Sequence, residues 1–261
     1  MRPASRLMST VLARTCFVPV MIPASPAFFR SLRVKAFLFG VVALLAAAPA
    51  AAQVGHNPAS SPYRDLEFKQ EFTALAGYVR ARHDPAGVAP VSAAMGGVRY
   101  ELTLTGPLAL SADFIRTSSN RTVLDPAKPL ATRRVGTESS PVYAADVALA
   151  LNLTGRKSWH QIVPQVRAGL GALSSSAKDD SSGFSFGTPF AFTFGGGLKF
   201  VPGGKLQLRA DVTDRVFKLS YPDSYYRKAS DNTAVLPEST PRSFYTHHAA
   251  LTVGVSYLFG R

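Results

Sequence analysis

Apolar and polar residues alternate most clearly at the C-terminal end of the chain. Every second residue from Ala249 to Phe259 is apolar, and the residues between them are small or polar apart from Leu258. A period of two over this length predicts a β-strand with one apolar face and one polar face. The residues of the polar face are small, which favours a barrel in which this face lines the interior and the apolar face contacts lipid. An ordinary exposed strand is the alternative.

Seven earlier segments have a comparable pattern, so the sequence predicts eight strands. The first covers about residues 71–82, and the pattern does not distinguish its inward face from its outward face. In the six that follow, the alternating apolar positions begin at Val98, Leu108, Tyr143, Val166, Phe190 and Leu206. The predicted connections alternate between long and short. An up-and-down barrel with both termini in the periplasm has this arrangement, with long loops outside and short turns inside.

A soluble, lipocalin-like barrel would have the same number of strands but would bury its apolar face. Here the other face carries charges and glycines, which favours an apolar exterior. Aromatic residues lie near the predicted strand ends, as in the girdles of membrane barrels; they are Tyr143, Phe200, Tyr245, Tyr257 and Phe259. We therefore predict an all-β protein, an eight-stranded antiparallel up-and-down transmembrane β-barrel.

The first 52 residues have a different composition. Residues 1–35 contain arginine and lysine but no acidic residue, and a short apolar run precedes Ala50-Ala51-Ala52. This order predicts a cleaved signal peptide with a long basic leader over residues 1–52. An uncleaved anchor is the alternative, and translation from Met21 would shorten the leader. We expect residues 53–70 to be a flexible periplasmic lead-in and residues 71–261 to form the barrel.

Cleavage would change the charge and the cysteine content. The leader contains six basic residues, so its removal lowers the formal net charge from +13 to +7. It also removes Cys16, the single cysteine, which excludes disulfides and cysteine-based metal sites from the mature chain. The remaining length fits one domain.

The polar faces of the second to seventh strands carry equal numbers of basic and acidic residues. The predicted inward charges are Arg99, Glu101, Asp113, Asp146, Arg167, Lys199, Arg209 and Asp211. Eight strands enclose only enough space for side chains, and a buried charge is costly unless it is paired. The sequence therefore predicts a network of ion pairs that plugs the lumen.

Candidate catalytic and metal-binding residues are few. His247 and His248 are adjacent on a predicted strand, so their side chains point to opposite faces and cannot easily share a metal. His83, Asp84 and several loop serines have the side-chain types of a hydrolase but no distinctive spacing. We predict no enzyme activity, no catalytic residue, no cofactor and no metal site.

The predicted outer loops are rich in basic residues. These are Arg116, Arg121, Lys128, Arg133, Arg134, Arg227, Lys228 and Arg242. They would bind lipopolysaccharide phosphates or remain solvated beside nearby acidic residues. Nucleic acid is not an expected partner, because no basic patch with interleaved aromatic residues lies on a soluble face.

The final strand also resembles a known motif. Thr252, Gly254, Tyr257 and Phe259 fill a polar-x-Gly-x-x-aromatic-x-aromatic pattern similar to the assembly signal of bacterial outer-membrane β-barrels, although Gly260 and Arg261 follow. As a whole, the predicted barrel resembles the small OmpA/OmpX-type barrels of Gram-negative bacteria.

This resemblance implies an integral outer-membrane protein with a structural or surface-interaction role. The expected partners are outer-membrane lipids and lipopolysaccharide, the barrel-assembly machinery and periplasmic chaperones, and the expected state is a monomer. A narrow channel for small solutes and a lipid A-modifying enzyme are the alternative functions.

Overall fold

The computed structural model of the protein describes residues 61–176 and 182–261, so the predicted leader lies outside the described residues. In chain order, the strands are β1 (Tyr63–Asp65), β2 (Gln70–Ala81), β3 (Ala93–Thr105), β4 (Leu108–Thr117), β5 (Asn120–Leu124), β6 (Arg134–Ser139), β7 (Val142–Asn152), β8 (Lys157–Trp159), β9 (Ile162–Ser175), β10 (Phe190–Phe200), β11 (Leu206–Ser220) and β12 (Ser243–Phe259). Among the described residues, no helix is long and apolar enough to cross a membrane.

The eight long strands pair antiparallel and close into a ring. Its order is β2-β3-β4-β7-β9-β10-β11-β12, and β12 pairs back onto β2. Closure satisfies the backbone groups that an open sheet would leave unpaired at its edges. The predicted eight-stranded antiparallel up-and-down barrel is therefore confirmed.

Side chains alternate between the two surfaces of the barrel as the period of two predicts. On β10, for example, the ring of Phe192 is 51% exposed on the outside, whereas the neighbouring Thr193 is 2% exposed on the inside. Outward leucine, valine and aromatic side chains cover the wall along every strand of the ring. The predicted apolar exterior is present. The first strand, whose faces the sequence did not distinguish, turns Glu71 inward and Phe72 outward.

The two ends of the barrel differ in their connections. At the end that we call the turn end, residues 106–107, 153–161 and 201–205 join the strands, and β12 ends there. At the opposite end, the loop end, the connections are residues 82–92, residues 118–141, a third connection of which residues 176 and 182–189 are described, and residues 221–242. The second of these contains a β5–β6 hairpin and the fourth contains a short 3-10 helix, Asp223–Tyr226. Both regions were predicted only as long loops, because such short elements show little periodicity.

The chain before β2 also contains a strand. Within the predicted lead-in, β1 pairs antiparallel with β8, so Tyr63 lies opposite Trp159 and Asp65 lies opposite Lys157. This pairing fastens the lead-in to the turn end of the barrel.

Candidate functional site

The lumen contains all eight charged residues that the sequence analysis assigned to it, each between 1% and 5% exposed. Two further charges, Glu71 and Arg215, are also buried there. Glu71 was missed because the phase of the first strand was ambiguous. Arg215 was missed because it lies beyond the part of the seventh strand used for the prediction, although it continues the same alternation. With these two, the barrel strands bury five basic and five acidic side chains.

Arg209 and Arg99 form the centre of this network. Arg209 donates from Nε to Asp211 Oδ2 at 2.9 Å and from Nη1 to Glu71 Oε1 at 2.5 Å. Arg99 binds both oxygens of Asp113, at 2.8 and 2.9 Å, and reaches Asp211 Oδ2 at 3.0 Å. Asp211 therefore joins the two guanidinium groups. Two-pronged, charge-assisted contacts of this kind are among the strongest hydrogen bonds in proteins.

A second group of charges lies on the turn-end side of Arg209. The ammonium of Lys199 donates to Glu71 Oε2 at 3.0 Å and to Glu101 Oε1 at 2.6 Å. The amides of Gln165 and Gln207 donate to the same two carboxylates at 2.9 and 2.8 Å. These neutral donors were not predicted, because glutamine on a polar face gives no signal of charge pairing.

A third group lies on the loop-end side. Arg215 binds Asp146 Oδ2 through Nε at 2.9 Å and Nη2 at 2.7 Å, and Thr193 donates to the other oxygen at 2.9 Å. His248 lies opposite Arg215 on β12, with its ring 4.7 Å from that of Phe217.

Two inward glycines provide space for the carboxylates. A Cβ atom on Gly197 would lie 2.3 Å from Asp211 Oδ1, and one on Gly171 would lie 2.2 Å from Asp146 Oδ1. A side chain at either position would displace a carboxylate from its arginine. The glycines are therefore part of the ionic network although they carry no charge.

The loop end of the lumen is filled differently from the rest. Most inward side chains there are apolar and buried, although Thr117 and Thr246 lie among them. The apolar residues include Val79, Met95, Ile115, Val142, Ala144, Leu173, Phe217 and Leu219. The alternation pattern led to the expectation that apolar residues lie on the outer face, and this part of the barrel departs from it. The long loops cover this end, so its interior is shielded from water and favours apolar side chains.

The loops pack into a cap over the loop end. Its apolar centre consists of Val88, Phe184, Tyr221, Tyr225 and Leu236. The Tyr221 hydroxyl donates to Asp84 Oδ2 at 2.7 Å, and the same carboxylate accepts from the backbone N–H groups of residues 88 and 89. Burial, and secondarily the hydrogen bond to Asp84, raise the pKa of Tyr221 above its usual range. The hydroxyl therefore remains a donor at neutral pH.

A second contact joins the second and fourth long loops. The Arg133 guanidinium donates to the carbonyls of Thr233 and Ala234, both at 2.9 Å. Asp231 accepts from the backbone N–H of Leu130 at 2.7 Å and from the Thr233 hydroxyl. Hydrogen bonding to Thr233 and Leu130 lowers the pKa of Asp231 to about 2. The cap is thus joined by specific contacts between loops.

The predicted basic rim divides into three groups. Arg121 and Arg133 are buried in the cap. Lys128, Arg134, Arg227, Lys228 and Arg242 are exposed on it. Arg116 lies on the outer face of β4, not in a loop.

Three other basic residues, which the sequence analysis did not single out, occupy a similar position on the wall. Arg80 and Arg82 lie at the loop end of β2 and Lys218 at the loop end of β11, all exposed. Neither these three nor Arg116 forms an ion pair with a described residue. We call Arg80, Arg82, Arg116 and Lys218 the basic collar.

The residues of the C-terminal motif divide between the two surfaces. Thr252 is buried in the lumen, whereas the rings of Tyr257 and Phe259 stack outside at a centroid distance of 6.2 Å. Gly254 lies where a Cβ atom would be 2.7 Å from the carbonyl oxygen of Ala74. The motif thus places two aromatic rings on the wall at the turn end.

Three of the described histidines, His83, His247 and His248, were candidates for a catalytic or metal site. His248 points inward and His247 outward, where it lies 2.8 Å from Asp214 Oδ2. His83 contacts the backbone carbonyl of Asp84. No serine hydroxyl is among the hydrogen-bond partners of these three histidines in the described chain. No group of three histidine, cysteine or acidic residues in residues 61–176 and 182–261 could hold a metal ion.

No protein-family model and no curated protein matches the chain. It is similar to the solved structure of Neisserial surface protein A (14% identity, TM-score 0.47), over 73% of this chain and 97% of that one. It is also similar to the outer membrane protein OprG from Pseudomonas aeruginosa (12% identity, TM-score 0.46), over 74% of this chain and 98% of that one. A third match is the outer membrane protein Ail from Yersinia pestis (12% identity, TM-score 0.36), over 73% and 100%.

The closed barrel and its two surfaces indicate where the protein lies. Lipid cannot hydrogen-bond backbone groups, so strands can cross a membrane only in a closed barrel. An apolar exterior around a polar interior is the arrangement of outer-membrane barrels and the reverse of a soluble barrel. The chain has the fold of the small eight-stranded outer-membrane β-barrels, and its location is the bacterial outer membrane.

Proposed function

We propose that the protein is a closed outer-membrane barrel with a structural or surface-interaction role. The observation that supports this proposal is the filling of the lumen along its length. Charged groups occupy the turn-end and central parts, and apolar side chains occupy the loop end. The apolar part encloses a cavity of about 20 Å³, lined in part by Ile115 and His248. A space of that size holds about one water molecule, so no solute path is provided there.

The test is conductance in planar lipid bilayers. The wild-type protein should show no steady current steps. Two double variants each empty one part of the lumen: Arg99→Ala with Arg209→Ala, and Phe217→Ala with Leu219→Ala. Each should stay closed because the other part still excludes ions, and the quadruple variant should conduct. Large, steady steps from the wild-type protein would overturn the proposal.

The basic collar supports the predicted binding of lipopolysaccharide, an anionic lipid. Its four cations project from the wall where the strands leave the apolar belt and the loops begin. Phosphate groups of lipopolysaccharide would offer them charge-assisted hydrogen bonds. Such contacts would hold the barrel at a fixed depth in the outer leaflet.

Lipid A in phosphatidylcholine bilayers should therefore raise the urea midpoint of unfolding. Replacing the collar residues by glutamine should abolish that increase, and raised salt should weaken it. The matched control is Lys157→Gln with Lys205→Gln at the turn end, which should retain the increase. An equal loss in the control would contradict a specific collar.

We propose that the C-terminal motif directs assembly and that the protein functions as a monomer. Deleting residues 257–261 should prevent insertion by the assembly machinery, because the two aromatic rings on the outer wall are removed. The measurement is heat-modifiable, membrane-embedded protein in cells, with Leu206→Ala as a control elsewhere on the wall. Normal insertion of the truncated chain would count against the motif.

A further inference from the structure

The segment before β2 crosses the turn end of the barrel. It is fastened on one side by the β1–β8 pairing and by the Leu66 N–H, which donates to the Arg156 carbonyl at 2.8 Å. On the other side, the Lys69 N–H donates to the Gly260 carbonyl at 2.7 Å, and Glu67 pairs with Arg261 at 3.0 Å. We call residues 65–69 the strap.

The ring order shows that the strap spans the mouth. β8 leads into β9, and β9 is the fourth neighbour of β2 in either direction around the ring. Tilted strands occupy about 6 Å each along the rim, so that half of the rim measures about 24 Å. The five steps from Asp65 to Gln70 reach at most about 18 Å. The strap is too short to follow the rim and therefore passes across the opening.

A cavity of about 160 Å³ lies between the strap and the ionic network. This is about eight times the volume of the cavity in the apolar part of the lumen. Four carboxylates line it, Asp65 and Glu67 from the strap and Glu71 and Glu101 from the barrel. The cations among its lining residues are Lys69, Lys199 and Arg261. Among the lining residues, carboxylates outnumber cations by four to three. Two cations that do not line the cavity also pair with them, Arg209 with Glu71 and Glu101 and Lys157 with Asp65.

Glu101 leaves one hydrogen-bond acceptor unused. Its Oε1 accepts from Lys199 and Gln165, whereas Oε2 accepts no hydrogen bond from the part of the chain that the structure describes. Arg209 Nη1 lies 3.6 Å from Oε2, which is an ion-pair distance but too long for a hydrogen bond. A buried acceptor without a donor is costly, so a ligand that carries N–H donors gains a hydrogen bond if its entry opens Oε2, which is fully buried in this structure.

We propose that this cavity is a periplasm-facing binding site for a small organic ammonium ion. The ammonium group of Lys199 already occupies the position between Glu71 and Glu101, which shows how those carboxylates hold such a group. An incoming ammonium ion competes with Lys199 for them, while the strap carboxylates add attraction at the entrance. Size limits the ligand to a few heavy atoms. This proposal does not depend on the lumen being closed to ions.

The test uses ethylammonium chloride with the folded protein in micelles, followed by NMR chemical shifts. Ethylammonium should cause saturable shifts at the turn end, whereas acetate and ethanol should not. Lys199→Met removes the competing ammonium and should raise the affinity at least tenfold. Adding Glu101→Gln to that variant should abolish the gain.

A second variant keeps the proposal testable if Lys199→Met does not fold. Glu67→Gln changes an exposed strap residue and should weaken ethylammonium binding severalfold. Its matched control is Glu238→Gln in the cap, which should bind like the wild type. The proposal is overturned if neither the wild type nor a folded cavity variant shows saturable binding, if acetate binds equally well, or if both glutamine variants weaken binding equally.

Discussion

The two parts of the lumen exclude water by different means. From the turn end to the middle, ten charged side chains neutralise one another in ion pairs, most of which are short, directed hydrogen bonds; Arg167 pairs with Asp113 at 2.9 Å. Toward the loop end, the space is filled by apolar side chains such as Phe217 and Leu219 beneath the loop cap. The first part depends on each charge having its partner, and the second depends on volume. Substitutions should therefore have unequal effects on the two parts.

The largest effect is expected at Arg209, the centre of the ionic part. Arg209→Met leaves Glu71 and Asp211 without their main partner, and removing one member of a buried ion pair costs about 3–5 kcal/mol. Urea unfolding in micelles would measure this loss of free energy of unfolding. Arg80→Met on the outer wall is the control and should change it by less than about 0.5 kcal/mol. Similar values for the two variants would show that the network does not stabilise the barrel.

A double-mutant cycle at Arg215 and Asp146 measures pairing directly. Arg215→Leu and Asp146→Leu each leave one buried charge without its partner, whereas the double variant removes both charges. The double variant should therefore be more stable than the sum of the single effects predicts, by about 2 kcal/mol. The same unfolding assay provides all four corners of the cycle. Additive effects would mean that the 2.7 Å contact between these side chains contributes nothing.

The Tyr221–Asp84 hydrogen bond should make the cap sensitive to alkaline pH. Because the pKa of Tyr221 is raised in the folded chain, the unfolded chain ionises first, at about pH 10. The stabilisation is complete below that pH and declines as the pH rises further. Tyr221→Phe should cost about 1.5 kcal/mol at neutral pH and should remove this residue's share of the alkaline decline. A decline of unchanged size in the variant would exclude Tyr221 as a cause.

The smallest effect is expected in the apolar part. Ile115→Val removes one methylene group from a buried side chain and should cost about 1 kcal/mol. Unlike substitutions in the ionic part, it should leave the pH dependence of unfolding unchanged. The check is the urea midpoint across acid and neutral pH, with Val147→Ala on the exposed wall as the matched control. A pH-dependent loss for Ile115→Val would mean that the two parts are coupled.

Much of the site was predictable because charge and position are coupled in a barrel strand. A charged residue at every second position, such as Arg209 and Asp211, must share a face with its neighbours. Once the apolar face is assigned to lipid, these charges point into the lumen. Glu71 could not be assigned in this way, because both faces of its strand contain apolar and polar residues. Which carboxylate pairs with which cation was also not predictable, since the pairing depends on register.

The strap and the apolar part of the lumen were beyond the reach of sequence periodicity. Residues 65–69 have no alternation, and their position depends on the pairing of β1 with β8. Phe217 and Leu219 continue the inward face of β11 but are apolar, so the pattern alone does not say which face they occupy. Their surroundings are set by the cap, which is formed by loops distant in sequence.

The sequence by itself determined the number of barrel strands, the direction of the two faces in all but the first of them, and the balance of charge, because strand geometry gives every second residue the same environment. The tertiary structure alone decided the partners of each charge, the apolar filling beneath the cap and the cavity behind the strap. Those features depend on which strands become neighbours around the ring and on which loops meet above it. Contacts between residues that are far apart in the chain produce no periodic pattern in the sequence.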